Sequence, residues 1–179
     1  MGNNLPQKAK DQIKSAQKEG STDLILRDCQ LKSLPSSVAK KFKHIKRLVL
    51  EKNYIQILPK QIVVFTALEH LNLDSNELGE LPPEILELNN LKHLSVARNM
   101  LRKLPEPISK LSALEVLDIS GNQISDLPSD FSKLGSHLRE FYYAASGITS
   151  VPACVWECRN LRCLSIACTL YPSPYNAYW

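Results

Sequence analysis

Two histidines and four cysteines are the residues of this chain best suited to chemistry, and their spacing decides what that chemistry could be. His70 and His93 lie 23 residues apart. On adjacent parallel strands their backbones would sit about 4.8 Å apart, near enough for two imidazoles to share a metal ion. The residues one period to either side, Arg47 and Val116, are not ligands, and Asp74 lies further along its strand, so no third donor is in place. Two surface histidines in a binding footprint are the simpler reading. Cys154, Cys158, Cys163 and Cys168 run as C-x3-C-x4-C-x4-C, without the short paired spacers of structural zinc sites. No nucleophile is set beside a base in a recognised pattern, and the six glycines are scattered rather than gathered into a phosphate-binding loop. The chain is therefore expected not to be an enzyme, and to have no catalytic residue, metal or cofactor.

The elements that would position these side chains are set by a repeat. Leu68-x-x-Leu71-x-Leu73-x-x-Asn76-x-Leu78-x-x-Leu81-Pro82 is followed 23 residues later by Leu91, Leu94, Val96, Asn99, Leu101, Leu104 and Pro105. Leu114, Leu117, Ile119, Asn122, Ile124, Leu127 and Pro128 form the next copy, and Ile45, Leu48, Leu50, Asn53, Ile55, Leu58 and Pro59 the previous one. The alternation in Leu71-x-Leu73 is that of a strand with one buried face. One unit cannot bury so many aliphatics alone, so units must stack with their strands parallel. The recurrent asparagine would satisfy backbone groups of the tight turn after each strand, and the proline would start a short helical segment on the far side. Ahead of the first unit, Ala9, Ile13 and Ala16 have helical spacing and suit a helix that caps the open edge.

This pattern resembles the leucine-rich repeat family, over about residues 21–170. The 23-residue length and Leu-Pro ending are similar to the intracellular class of Ras suppressor and Shoc-type scaffolds, and to small repeat proteins that start Met-Gly-Asn. The resemblance implies an α/β solenoid, with a curved parallel sheet on the concave face and short helical or irregular convex segments. It further implies a scaffold or adaptor that binds another protein on the concave face, in a small-GTPase, phosphatase or kinase pathway. The expected organisation is a basic capping segment over residues 1–20, about seven repeats over 21–170 and an atypical aromatic tail over 171–179. The sixth and seventh units lose the asparagine, which weakens that ladder at the end of the array.

Strand residues between the inward leucines must point out of the sheet, so the repeat fixes the rows of the exposed face. One row is Arg47, His70, His93 and Val116, the next Val49, Asn72, Ser95, Asp118 and Tyr142, and the third starts with Glu51 and Asp74. Each of these alone is an ordinary solvated position. As a set, Arg47, Val49, Glu51, His70, Asn72, Asp74, His93, Ser95, Asp118 and Tyr142 make a mixed polar platform that suits a protein partner better than a small-molecule pocket.

Charge singles out the other end of the chain. Residues 1–60 hold 13 Lys and Arg against 5 Asp and Glu, whereas the rest hold 9 against 13, within a net charge of +4. The basic end matches no nucleic-acid motif and has no interleaved aromatics, so nucleic acid is not expected; such a charge run is most often a solvated face, and it could also meet an acidic partner or an anionic membrane surface. Met1-Gly2-Asn3-Asn4 has the form of an N-myristoylation start, with Gly2 as acceptor, although Pro6 stands where that motif asks for Ser or Thr. The alternatives to a binding scaffold are a membrane-targeting protein acting through this acylated basic end, and a truncated repeat product without independent function. No stretch has signal-peptide or membrane-span character, so a cytoplasmic monomer is expected, associated with membrane only through its N-terminus.

Overall fold

A computed structural model describes residues 5–148 and 150–166 of the 179-residue chain. Gly2, Cys168 and the segment 171–179 lie outside the described residues.

The chain begins with α1 (Gln7–Glu19), which Gly20 ends in the left-handed conformation at φ 59°. Ala9, Ile13 and Ala16 are its buried face and lie against the first strand. Seven three-residue strands follow: β1 (Asp23–Ile25), β2 (Arg47–Val49), β3 (His70–Asn72), β4 (His93–Ser95), β5 (Val116–Asp118), β6 (Glu140–Tyr142) and β7 (Cys163–Ser165). They pair in parallel, in chain order, as one open sheet. Register is kept throughout: Leu48, Leu71, Leu94, Leu117 and Phe141 align at the centre of successive strands. All five are at most 1% exposed. Their neighbours on either side point to the opposite face, as the two-residue strand period requires.

The turn after each of β2, β3, β4 and β5 is built from two adjacent positions. Lys52, Ser75, Arg98 and Gly121 take left-handed backbone with φ between 53° and 66°. The asparagine that follows each one is buried and fully engaged. The Asn76 side-chain oxygen accepts from Ile55 N at 3.1 Å, while its amide donates to Leu50 O at 3.0 Å and Leu73 O at 2.9 Å. Asn99 repeats this with Leu78 N, Leu73 O and Val96 O. Each inner carbonyl is thus shared by two asparagines, and backbone groups that no water can reach are paired. In the sixth unit, among the described residues, Ser146 accepts from Ile148 N of its own turn alone, and the asparagine ladder stops at Asn122.

The return segments are tighter than α-helices in the middle of the array. Lys60–Val64, Pro83–Glu87, Ile108–Lys110 and Phe131–Ser136 are 3-10 turns, and among the described return segments only α2 (Ser36–Lys41) and α3 (Ala153–Trp156) are α-helical. Residues three apart, such as Ile85 and Leu88, both point inward, and Leu88 N closes on Ile85 O at 3.2 Å. A 23-residue unit has room for little more than one such turn. Near the end of the array aromatic rings replace aliphatics: Phe141 lies 4.9 Å from both Phe131 and Tyr143. Gly135 sits against the backbone of Cys158, where a Cβ would come within 2.6 Å of the Cys158 Cα.

Candidate functional site

The hydrogen-bonded register assembles the exposed face row by row. Arg47, His70, His93, Val116, Glu140 and Cys163 stand side by side, with Asp23 of β1 at the head of the row. Val49, Asn72, Ser95, Asp118 and Tyr142 form the second row, headed by Ile25. Glu51 and Asp74 follow at the strand ends. All ten candidate residues therefore lie on one side of the sheet, but their chemistry differs.

His70 and His93 are stacked, with ring centroids 3.9 Å apart and planes within 9° of parallel. Burial, the neighbouring His93 and then Arg47 hold His70 below the usual imidazole range. Stacking suits neutral rings and suits a shared metal badly. A ligand lone pair lies in its ring plane, whereas an ion about 2.0–2.1 Å from both nitrogens would have to sit between the two planes. Among the described residues no group of three or more His, Cys, Asp and Glu is placed to hold a metal ion.

Several candidate side chains brace the face itself. The Asn72 side-chain oxygen accepts from Asp74 N at 2.9 Å. Asp74 turns toward the next strand, where it accepts from Ser95 Oγ at 2.6 Å and Ala97 N at 2.8 Å. Burial pushes its pKa above the ordinary carboxylate value. Asp118 accepts from Ser120 N at 2.9 Å. Glu51 pairs with Arg27 at 3.0 Å and Arg47 with Asp23 at 3.5 Å. Tyr142 donates to Glu140 Oε2 at 2.7 Å. Its hydrogen bond with Cys163, then that with Glu140, pushes the phenol far above its ordinary pKa. Asp74 in particular ties the end of its own strand to the end of β4. What remains open is a groove of about 280 Å³ running over Val49, His70, His93, Val116 and Tyr142.

One feature of this face escaped the reading of the rows. The residue just before each strand forms its own ladder: Glu69 bridges Lys46 at 3.1 Å and Lys92 at 2.7 Å, and Arg139 meets Glu115 at 3.3 Å. Hydrogen bonds from Lys92 and Lys46 draw the Glu69 pKa down to about 2. The signal was present as the alternation Lys46, Glu69, Lys92, Glu115 at the repeat period. The cysteines are dispersed. Cys29, Cys154, Cys158 and Cys163 are free thiols, Cys163 is exposed on the sheet face, and burial raises the pKa of the other three. Cys154 is half-buried. No helix among the described residues is long and apolar enough to cross a membrane.

The geometry has counterparts among solved structures. The leucine-rich repeat domain of the type III effector XopL superposes with a TM-score of 0.78 at 27% identity, over 88% of this chain and 56% of that one. The plant peptide hormone receptor RGFR1, solved in complex with RGF2, gives a TM-score of 0.70 at 26% identity, over 80% of this chain and 24% of the receptor. This chain thus spans little more than half of the first protein and about a quarter of the second. No curated protein sequence matches it. The family model described as leucine rich repeat matches residues 22–78 and 66–124, more than half of the chain. Together with the seven aligned strands and the asparagine-lined turns, that match makes the chain a member of the leucine-rich repeat family.

Proposed function

We propose that this chain is a protein-binding module without catalytic activity of its own, which takes its partner on the open sheet face and serves as an adaptor or scaffold in intracellular signalling. The observation that carries the reading is the groove over β2–β6. It combines apolar floor at Val49 and Val116, a flat imidazole platform and the Tyr142 ring on a surface that nothing in the described chain covers. Such a mixture of aromatic, aliphatic and polar groups is typical of protein interfaces. The similar receptor RGFR1 is solved with a peptide hormone bound, which agrees with a polypeptide ligand here. The Leu-Pro, 23-residue repeat favours the Ras suppressor and Shoc-type class and hence a small-GTPase, kinase or phosphatase pathway.

The test is affinity capture with the intact chain beside His93→Ala/Tyr142→Ala and Val116→Arg variants whose folding is checked by circular dichroism. Partners held by the intact chain and lost from both variants support the sheet face. Partners held equally by all three refute it.

A second reading has its own observation. Of the four lysines on α1, only Lys8 makes an ion pair among the described residues, with Asp28 at 3.1 Å, and Lys14 and Lys18 are exposed. We infer from this that α1 lies against anionic lipid once Gly2 is acylated, because one acyl chain needs a second, electrostatic signal for stable anchoring. Gly2→Ala should abolish sedimentation with vesicles containing phosphatidylserine. Unchanged sedimentation removes this reading.

A further inference from the structure

We propose that the β5–β6 half of the open sheet face receives a lysine or arginine side chain of the partner polypeptide, with Asp118 and Glu140 as its counter-charges. The inference rests on the open sheet face being the binding surface. It comes from how charges along that face are paired. On β1–β4 most charges find ion-pair partners within the chain, Arg47 with Asp23, Arg27 with Glu51, and Lys46 and Lys92 with Glu69, while Asp74 is held by Ser95 Oγ and Ala97 N. On β5–β6 the ion pairing thins. Glu115 has Arg139, but among the described residues no cation comes within 4.0 Å of Asp118 or Glu140, whose hydrogen bonds run instead to Ser120 N and Tyr142 OH.

The two carboxylates belong to adjacent strands. Asp118 pairs in register with Tyr142 and Val116 with Glu140, so they stand diagonally across adjacent strands. Burial, with Asp118 among the lesser causes, raises the pKa of Asp74, and Cys163, then Glu140, raises that of Tyr142. Asp118 lines the groove together with Val116, His93 and Tyr142, and Glu140 is tied to its edge through the Tyr142 hydroxyl. A long basic side chain fits this arrangement. Its aliphatic stem lies on Val116 and the imidazole face, its cationic head reaches the carboxylates, and the Tyr142 ring offers a cation–π contact. An acidic or purely apolar side chain would leave both carboxylates partly desolvated without compensation.

The experiment uses pools of synthetic dodecapeptides whose other positions are randomised among uncharged residues. The central residue is fixed as arginine, lysine, glutamate or citrulline, the neutral isostere of arginine. Each pool is passed over the immobilised full chain, over Asp118→Asn/Glu140→Gln, and over Val116→Arg. The amide variants keep acceptors for Ser120 N and Tyr142 OH, so they remove charge and leave the fold.

The intact chain should retain the arginine and lysine pools about fivefold over the citrulline pool, the scale of one partly exposed ion pair. That excess should vanish on the double-amide variant and shrink with added salt. Equal retention of the basic and citrulline pools overturns the proposal, as does an excess that survives on the double-amide variant. If Val116→Arg retains every pool as well as the intact chain does, the open-face reading has failed. If Val116→Arg loses them all while charge makes no difference, only the present inference has failed.

Discussion

The asparagine ladder makes an unequal prediction for two chemically identical substitutions. Asn99→Ala removes the acceptor of Leu78 N. The carbonyls it serves keep a second donor: Leu73 O still receives Asn76, and Val96 O still receives Asn122. One buried N–H is left orphaned, at a cost of about 1–3 kcal/mol, with a smaller loss from the thinned carbonyl bonds. Asn53→Ala is worse. Asn53 accepts from both Cys29 N and Leu31 N, and among the described residues it alone donates to Leu26 O, because the first unit has Cys29 where an asparagine would stand. Three buried groups lose their partner, so the expected cost is about two to three times that of Asn99→Ala. Urea unfolding followed by circular dichroism gives both values. Hydrogen exchange should also show the Cys29 and Leu31 amides opening first in Asn53→Ala, since solenoids unravel from a weakened end. A cost for Asn53→Ala equal to or below that for Asn99→Ala would refute the shared-carbonyl argument.

The remaining predictions concern backbone, packing and pH. Ser75→Gly should be neutral or stabilise by about 1 kcal/mol, since Ser75 holds φ 54° and glycine removes that cost. Gly121→Ala should destabilise, because φ is 66° and the new Cβ would meet Arg98 Cγ at 3.2 Å. Thermal melts of the two variants decide both. Gly135→Ala drives a methyl to 2.6 Å from the Cys158 Cα. It should cost about 1–3 kcal/mol, with early loss of amide protection around β6 and β7. His70 binds its proton less readily folded than unfolded, so its share of stability is intact above about pH 6.5 and falls as pH drops toward the lowered folded value. His70→Phe should flatten that slope in urea unfolding measured from pH 7.5 to 5. Glu69 acts in a more acid window: with its folded pKa near 2 against 4.5, its contribution is lost as pH falls from 4.5 toward 2. NMR titration of its carboxyl carbon, compared with Lys92→Met, reads the shift directly.

Much of this molecule was legible because a repeat converts sequence position into spatial position. The period placed Leu71, Leu94 and Leu117 in one buried column and His70 beside His93 in an exposed row, since strands two residues in period and units 23 in length leave no other phase for the leucines. The asparagines were readable for the same reason, as the turn after each strand has buried backbone groups that only a short amide can serve. What the period does not encode is where an outward side chain goes once it leaves its row. The parallel stacking of His70 on His93, the turning of Asp74 onto Ser95 and Ala97, and the ion pairs of Glu69 with Lys46 and Lys92 depend on distances of 2.6–3.9 Å between neighbouring units. The sequence determined the column each residue occupies, because hydrophobic burial needs only periodicity. The tertiary structure decided which outward side chains engage one another, because hydrogen bonds and ion pairs depend on rotamers and short distances that spacing does not specify.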